Sequence, residues 1–352
     1  MRKGREGGLR RQAKGCASRP EVRHCAPARE SGQSMRRNDH DVTDQILITD
    51  PAAVGEEIVR LYRGLYDSSA PELERAFHDV ATLYAGKHPD YQPCDTEYHD
   101  IQHVLDVTLA MARLMDGYER SRPNGARLTK DLFRVGVLAA LFHDFGYLRR
   151  RHDSRHRFGA EYTLTHVSRG AKFLRRYLRE HGLERLARVA STLVHYTGYE
   201  RPAETIRVSD TLLRRIGHML GTADIIAQMS DRCYLEKCRD RLFPEFVLGG
   251  LAGRKLIGRR TLPQFASGDD LVRKTPGFYY NAIKRLDLQL ARAYEYAAHH
   301  FGGQNLYLEE MQKNVRYAQA LAEVPTAEKL RRQPPSTLAP EVQPYPKDLL
   351  AL

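Results

Sequence analysis

Apolar side chains return every third or fourth position through most of this chain, the spacing that lines one face of an α-helix. Val54, Ile58, Leu61 and Leu65 do so along 53–66, and Ile101, Val104, Leu105, Leu109 and Met111 along 99–115. The same periodicity predicts helices over 71–86, 129–147, 159–181, 184–197, 210–233, 278–301 and 305–323. Alternating runs are scarce, and no Asn-Gly or Asp-Gly pair joins two β-branched stretches, so strands are not expected to build the core. The prediction is an all-α helical bundle. Residues 248–276 are Gly-rich and contain Pro263, which reads as a long loop, a lid or the arm of a homodimer. Residues 1–42 lack apolar periodicity, and six prolines fall between Pro325 and Pro346. A basic leader over 1–42 and a Pro-rich tail over 326–352 are therefore expected to be disordered, leaving a single domain over 43–325.

Composition adds limits rather than identity. With 41% apolar and 28% charged residues, the 352-residue chain has enough material for a large core. Its most apolar stretch, Val135 to Phe142, falls well short of the roughly 18 residues of a membrane span. The basic leader has no apolar run of the secretory kind, and five cysteines without a CxxC pair suggest reduced thiols, so a cytoplasmic location is expected. The formal charge is +12, but residues 1–40 hold eleven Lys or Arg against four acids. The body is thus only mildly cationic, and nucleic acid is not an expected partner.

Candidate chemistry lies in the histidines and aspartates. His99 and His103 stand four apart on a predicted helix, which puts both imidazoles on one face. His143 and Asp144 follow the apolar stretch VGVLAALF; His166, His195 and Asp224 each interrupt an apolar helical pattern. An ionisable group on such a face is costly unless paired or bound to metal. Each alone has an ordinary reading as a core histidine or an ion-paired acid, but imidazole with carboxylate is the ligand chemistry of divalent first-row metals.

The order His103, His143-Asp144, Asp224 resembles the H…HD…D signature of the HD-domain metal-dependent phosphohydrolases. YHDIQHVLDV (Tyr98 to Val107) is similar to the YHNxxHAxDV motif of cyclic-nucleotide phosphodiesterases, and GTADII (Gly221 to Ile226) to their later Ala-Asp. The likeness covers about residues 95–235. It implies a helical HD core with additional C-terminal helices, a first metal on His103, His143, Asp144 and Asp224, and a catalytic proton donor at His99. HVSRGAKFL resembles the HxxxGAxxL of other HD proteins, in which two histidines of the following helices hold a second metal; His166 and His195 match those places, with His152 and His156 as rivals. Asp100 stands where the phosphodiesterases have Asn, and Phe145-Gly146-Tyr147 replaces their DHPG, so cyclic-nucleotide specificity is not carried over.

The resemblance implies hydrolysis of a phosphomonoester or phosphodiester, with a nucleotide as the expected substrate. One or two divalent ions are required, and Mn, Mg, Fe, Co and Zn are all admissible. Arg149, Arg150 and Arg151, directly after the HD pair, are candidates to grip the substrate phosphate. Two alternatives keep the ligands: a di-iron oxygenase, and a catalytically silent nucleotide-binding module.

Overall fold

The computed structural model describes residues 35–122, 125–198, 201–252, 254–257, 260–321 and 326–346. Its helices are α1 (Pro51–Tyr66), α2 (Pro71–Tyr84), α3 (Ile101–Ser121), α4 (Lys130–Leu141), α5 (His166–Glu180), α6 (Glu184–Leu193) and α7 (Thr211–Ser230). There follow α8 (Tyr234–Lys237), α9 (Phe243–Leu248), α10 (Gly268–Leu288), α11 (Tyr296–His300), α12 (Leu306–Ala320) and α13 (Thr326–Lys329). One antiparallel hairpin, β1 (Arg254–Ile257) with β2 (Arg260–Pro263), is the only sheet among the described residues.

Helix α3 is the axis of the bundle. Every residue from Gln102 to Glu119 is buried, because α1, α4, α7 and α11 all pack against it. Leu105, Leu109 and Leu114 are fully enclosed. Truncating any one to Ala would cost about 2–5 kcal/mol in lost transfer energy and cavity formation. Asp100 caps α3, its carboxylate accepting from the His103 N–H at 3.0 Å. Aspartate suits this place because its oxygen satisfies a donor that the first helical turn leaves unpaired.

Several boundaries differ from the periodic reading, each for a local reason. Because Asp100 is the cap, His99 precedes α3 rather than lying on it. The helix expected over 129–147 ends at Leu141, and His143-Asp144 lie in a turn before a 3-10 segment, Phe145–Tyr147. His166 opens α5 instead of sitting mid-helix, because the preceding Gly159–Tyr162 forms its own 3-10 turn. The helix expected over 278–301 is broken where Ala291 and Arg292 take positive φ. The loop expected over 248–276 is partly the hairpin and partly α10, which starts at Gly268; residues 253, 258 and 259 lie outside the described set.

Both expected tails need correction where the structure describes them. Residues 36–42 belong to the compact unit that begins at Arg36. Buried Asp41 organises them: its carboxylate accepts from the N–H groups of Thr43, Gln45 and Ile46 and from the Arg113 guanidinium at 2.6 Å. At the other end, residues 330–346 form a strap against the domain. Arg239 and Arg241 donate to the carbonyls of Leu330, Pro334 and Pro335, and Thr337 Oγ1 donates to Asp100 Oδ2 at 2.7 Å. Prolines suit such a strap, since they need no partner for an N–H and their carbonyls remain free to accept. The remainder of the two tails, 1–34 and 347–352, lies outside the described residues.

Candidate metal centre

The turn after α4 carries the central carboxylate. It passes so close to α5 that a Cβ on Gly146 would lie 1.8 Å from the His166 carbonyl oxygen, and one on Gly170 would lie 2.7 Å from that of His143. These glycines let the HD turn and the start of α5 meet backbone to backbone. Helices α3 and α7 complete the walls, bringing His103 and Asp224 to the same place.

Asp144 is buried and faces imidazoles with both oxygens. Its Oδ2 lies 3.2 Å from Nε2 of His103 and 3.2 Å from Nε2 of His143, while its Oδ1 lies 3.5 Å from Nε2 of His166. Asp224 Oδ1 is 3.4 Å from His103 Nε2 and 3.8 Å from His143 Nε2. Donor atoms of His103, His143 and Asp144 all lie within 4.8 Å of one another. Five of the six residues expected as ligands therefore converge.

The ring orientations fit coordination. His143 Nδ1 lies 2.7 Å from the Ala140 carbonyl and His166 Nδ1 lies 2.7 Å from that of Thr163. A carbonyl only accepts, so Nδ1 of each ring carries the proton and Nε2 is directed at the carboxylates. His143 Nε2 is buried without a hydrogen bond of good geometry. Burial pulls the His103 imidazole down, yet Asp144 and Asp224 outweigh it and hold it up at about 10. His143 is raised on the same balance; Asp144, which burial alone would raise, is held well below the carboxylate range by the histidines. His166 is lowered, chiefly by burial. Clustered negative charge holding protons on imidazole nitrogens is equally an electrostatic well for a cation. The donor set, imidazole nitrogen with carboxylate oxygen, fits a divalent first-row metal.

His195, the sixth expected ligand, stands on the 3-10 turn Val194–Tyr196, whose Tyr196 packs on α7 at Gly217 and Gly221.

His99 lies at the edge of the centre. Its Nδ1–H donates to Glu245 Oε2 at 2.5 Å, and Glu245 is fully buried, its other oxygen accepting from the Tyr98 N–H at 2.6 Å. The ring stacks on Tyr147, 4.4 Å between centroids, and Tyr147 stacks in turn on His166 at 4.4 Å. Neither Glu245 nor Tyr147 was recognisable beforehand. Glu245 lies 146 positions from His99, in a segment whose spacing gives no cue, and Tyr147 reads as an ordinary apolar position. Tyr98 donates to Gln228, whose amide donates to the Asp224 carbonyl at 3.0 Å.

Each of the three arginines expected to face a substrate phosphate has a protein partner in this structure. Arg149 pairs with Asp95 at 3.0 Å, Arg150 lies over the Tyr91 ring, and Arg151 donates to the Gly86 and His88 carbonyls. Their donors staple this turn to the segment ahead of α3. His156 pairs with Asp153 rather than with the metal-type cluster. A surface groove of about 690 Å³ between α1 and α2 holds none of the convergent residues.

No protein-family model and no curated protein matches the chain. Among solved structures, it is similar to the phosphodiesterase domain of the RhoPDE fusion protein from the choanoflagellate Salpingoeca rosetta, at 16% identity and a TM-score of 0.47, over 83% of this chain and 96% of that one. A second structure, the phosphodiesterase domain of Salpingoeca rosetta rhodopsin phosphodiesterase, is similar at 14% identity and a TM-score of 0.45, over 82% of this chain and 92% of that one. At such identities the functional reading has to come from the residues of the site. Among the described residues no helix is long and apolar enough to cross a membrane.

Proposed function

We propose that the protein is a metal-dependent phosphohydrolase that cleaves a phosphomonoester or phosphodiester, with a nucleotide as its substrate. The observation that carries the reading is Asp144 presenting one oxygen to His103 and His143 and the other to His166. In this reading His103, His143, Asp144 and Asp224 would hold one divalent ion, and His166 would serve a second. Bound there, such ions would supply Lewis acidity that lets a water lose a proton and act as nucleophile near neutral pH, and positive charge for the phosphate oxygens.

The chain's own groups do the rest. Glu245 accepts a hydrogen bond from Nδ1–H of His99, so that in the imidazolium form the Nε2–H is the proton passed to the departing oxygen, leaving the neutral Nδ1–H ring. Stacking on Tyr147 fixes the plane of that ring. Burial of Asp144 and His143 keeps bulk water from competing for the phosphate. The His99–Glu245 pair favours catalysis over a silent binding module, for which a positioned proton donor has no use.

The test is hydrolysis of a panel of nucleotide mono-, di- and cyclic phosphates with added Mn2+. Asp144→Ala is expected to abolish both turnover and bound metal. Undiminished turnover in that variant would end the proposal.

A further inference from the structure

His103 borders a second feature of the interior, a small polar chamber that it shares with Tyr98, Gln102, Asp106, Asp231 and Lys237. Its free volume is about 10 Å³, the space of one water molecule. Two of its residues each carry a buried polar atom with no hydrogen-bond partner among the described residues: Nε2 of Gln102 and Oδ1 of Asp106. Gln102 is 1% exposed and Asp106 6%. The amide orientation of Gln102 is fixed, because its Oε1 accepts from Lys237 Nζ at 3.0 Å and an ammonium only donates. Lys237 is held in turn by Asp231 at 2.6 Å.

The chamber therefore holds one unspent donor and one unspent acceptor, each of which costs about 1–3 kcal/mol if left unpaired in the interior. The Lys237 ammonium on its wall opposes a cation there, and the Asp231 and Asp106 carboxyls oppose an anion. A neutral molecule of one heavy atom, accepting from Gln102 and donating to Asp106, satisfies both.

We infer that a single structural water belongs in this chamber, and that Asp106 and Gln102 act through it to fix the His103 imidazole, making Asp106 a positioning residue of the metal centre. The positioning role rests on the reading of His103 as a metal ligand; the water site does not. Ligating histidines keep their orientation through a partner on the ring nitrogen that does not bind metal, and losing that partner typically costs roughly 10–100-fold in metal affinity.

Two measurements test the inference. A crystal structure of the wild-type protein at a resolution that shows waters is expected to place one within hydrogen-bond distance of Gln102 Nε2 and Asp106 Oδ1. A dry chamber, or a metal's anomalous signal inside it, overturns the water site. In Mn2+ titrations, Asp106→Leu, which fills the chamber, is expected to bind roughly 10–100-fold more weakly. Asp106→Asn, which keeps the acceptor and the shape, is expected to stay near wild type. Equal affinity in the Leu variant, or equal loss in both, overturns the positioning role. Should Asp106→Leu not fold, Gln102→Met removes the donor while Lys237 keeps its pairing with Asp231, and the same weakening is expected of it; wild-type affinity there overturns the role. A wild-type chain that takes up no Mn2+ removes the positioning role along with the reading beneath it, and the density still decides the water.

Discussion

Glu245 shows how one residue can set another's chemistry. Its carboxylate meets both the Tyr98 N–H and the His99 ring, so Glu245→Gln should keep the packing but remove the charge that orients the imidazole. Turnover of an alkyl phosphodiester is expected to fall by about 10²-fold, the low end of what general acid catalysis contributes. A nitrophenyl ester, whose departing oxygen needs no proton, should lose much less, and comparing the two substrates checks the role. His103 makes a second prediction. Two carboxylates hold its proton up to about 10, so a divalent ion must displace that proton to bind. Uptake should release protons and tighten as the pH rises toward that value. Calorimetric titration in two buffers of different ionisation enthalpy counts the protons, and uptake that weakens with rising pH would contradict the assignment. Both histidines were legible in the sequence as chemistry; Glu245 was not, because its partnership is purely tertiary.

Among the elements, the helices that carry the core were legible from periodicity, since apolar faces at 3.6-residue spacing have few other uses. The turns between them were not. The periodic pattern runs on through His143 and Asp144 because buried turns are apolar too, whereas the helix stops at Leu141. His99 belongs to the cap segment, not to α3, yet its ring still lies 5.7 Å from that of His103. The expected pairing of the two rings thus holds through a different backbone. Gly146 marks how tightly the HD turn abuts α5, and Gly146→Ala is expected to push the His166 end of α5 away from Asp144. Loss of the second equivalent of bound metal before loss of the first, read by metal analysis alongside thermal melting, would show it. An Ala variant with unchanged metal content and melting temperature would mean that the contact relaxes without consequence.

At the scale of the whole described unit, distant segments are tied by buried ion pairs. Burial alone would raise Asp41, but the Arg113 guanidinium and the N–H and hydroxyl donors around it outweigh burial and hold its carboxyl below the ordinary range. Asp231 is lowered in the same manner by Lys237. A carboxyl with a depressed folded-state pKa stabilises the fold above its unfolded value of about 3.9, and that contribution is lost as the pH falls through the folded value. Melting temperature should therefore drop below about pH 4. Asp41→Asn should be less stable at neutral pH by about 3–5 kcal/mol, since it leaves the Arg113 charge buried, and less sensitive to acid. Equal acid sensitivity in the variant would remove Asp41 from the account. The strap was illegible for a simple reason: proline-rich composition describes a chain that makes no hydrogen-bonded ladder of its own, and says nothing of arginines elsewhere waiting for its carbonyls. Its reach has a kinetic side. Thr337 closes on the cap of α3 from 237 positions away, and Asn38 meets the Gln333 carbonyl across 295. Contacts of such high sequence separation form late, because the loop entropy must be spent first. A ribosome that has delivered Asp224 has still not delivered the segment that fastens the cap beside His99, so the nascent protein should acquire its final shape only after roughly a further hundred residues have emerged.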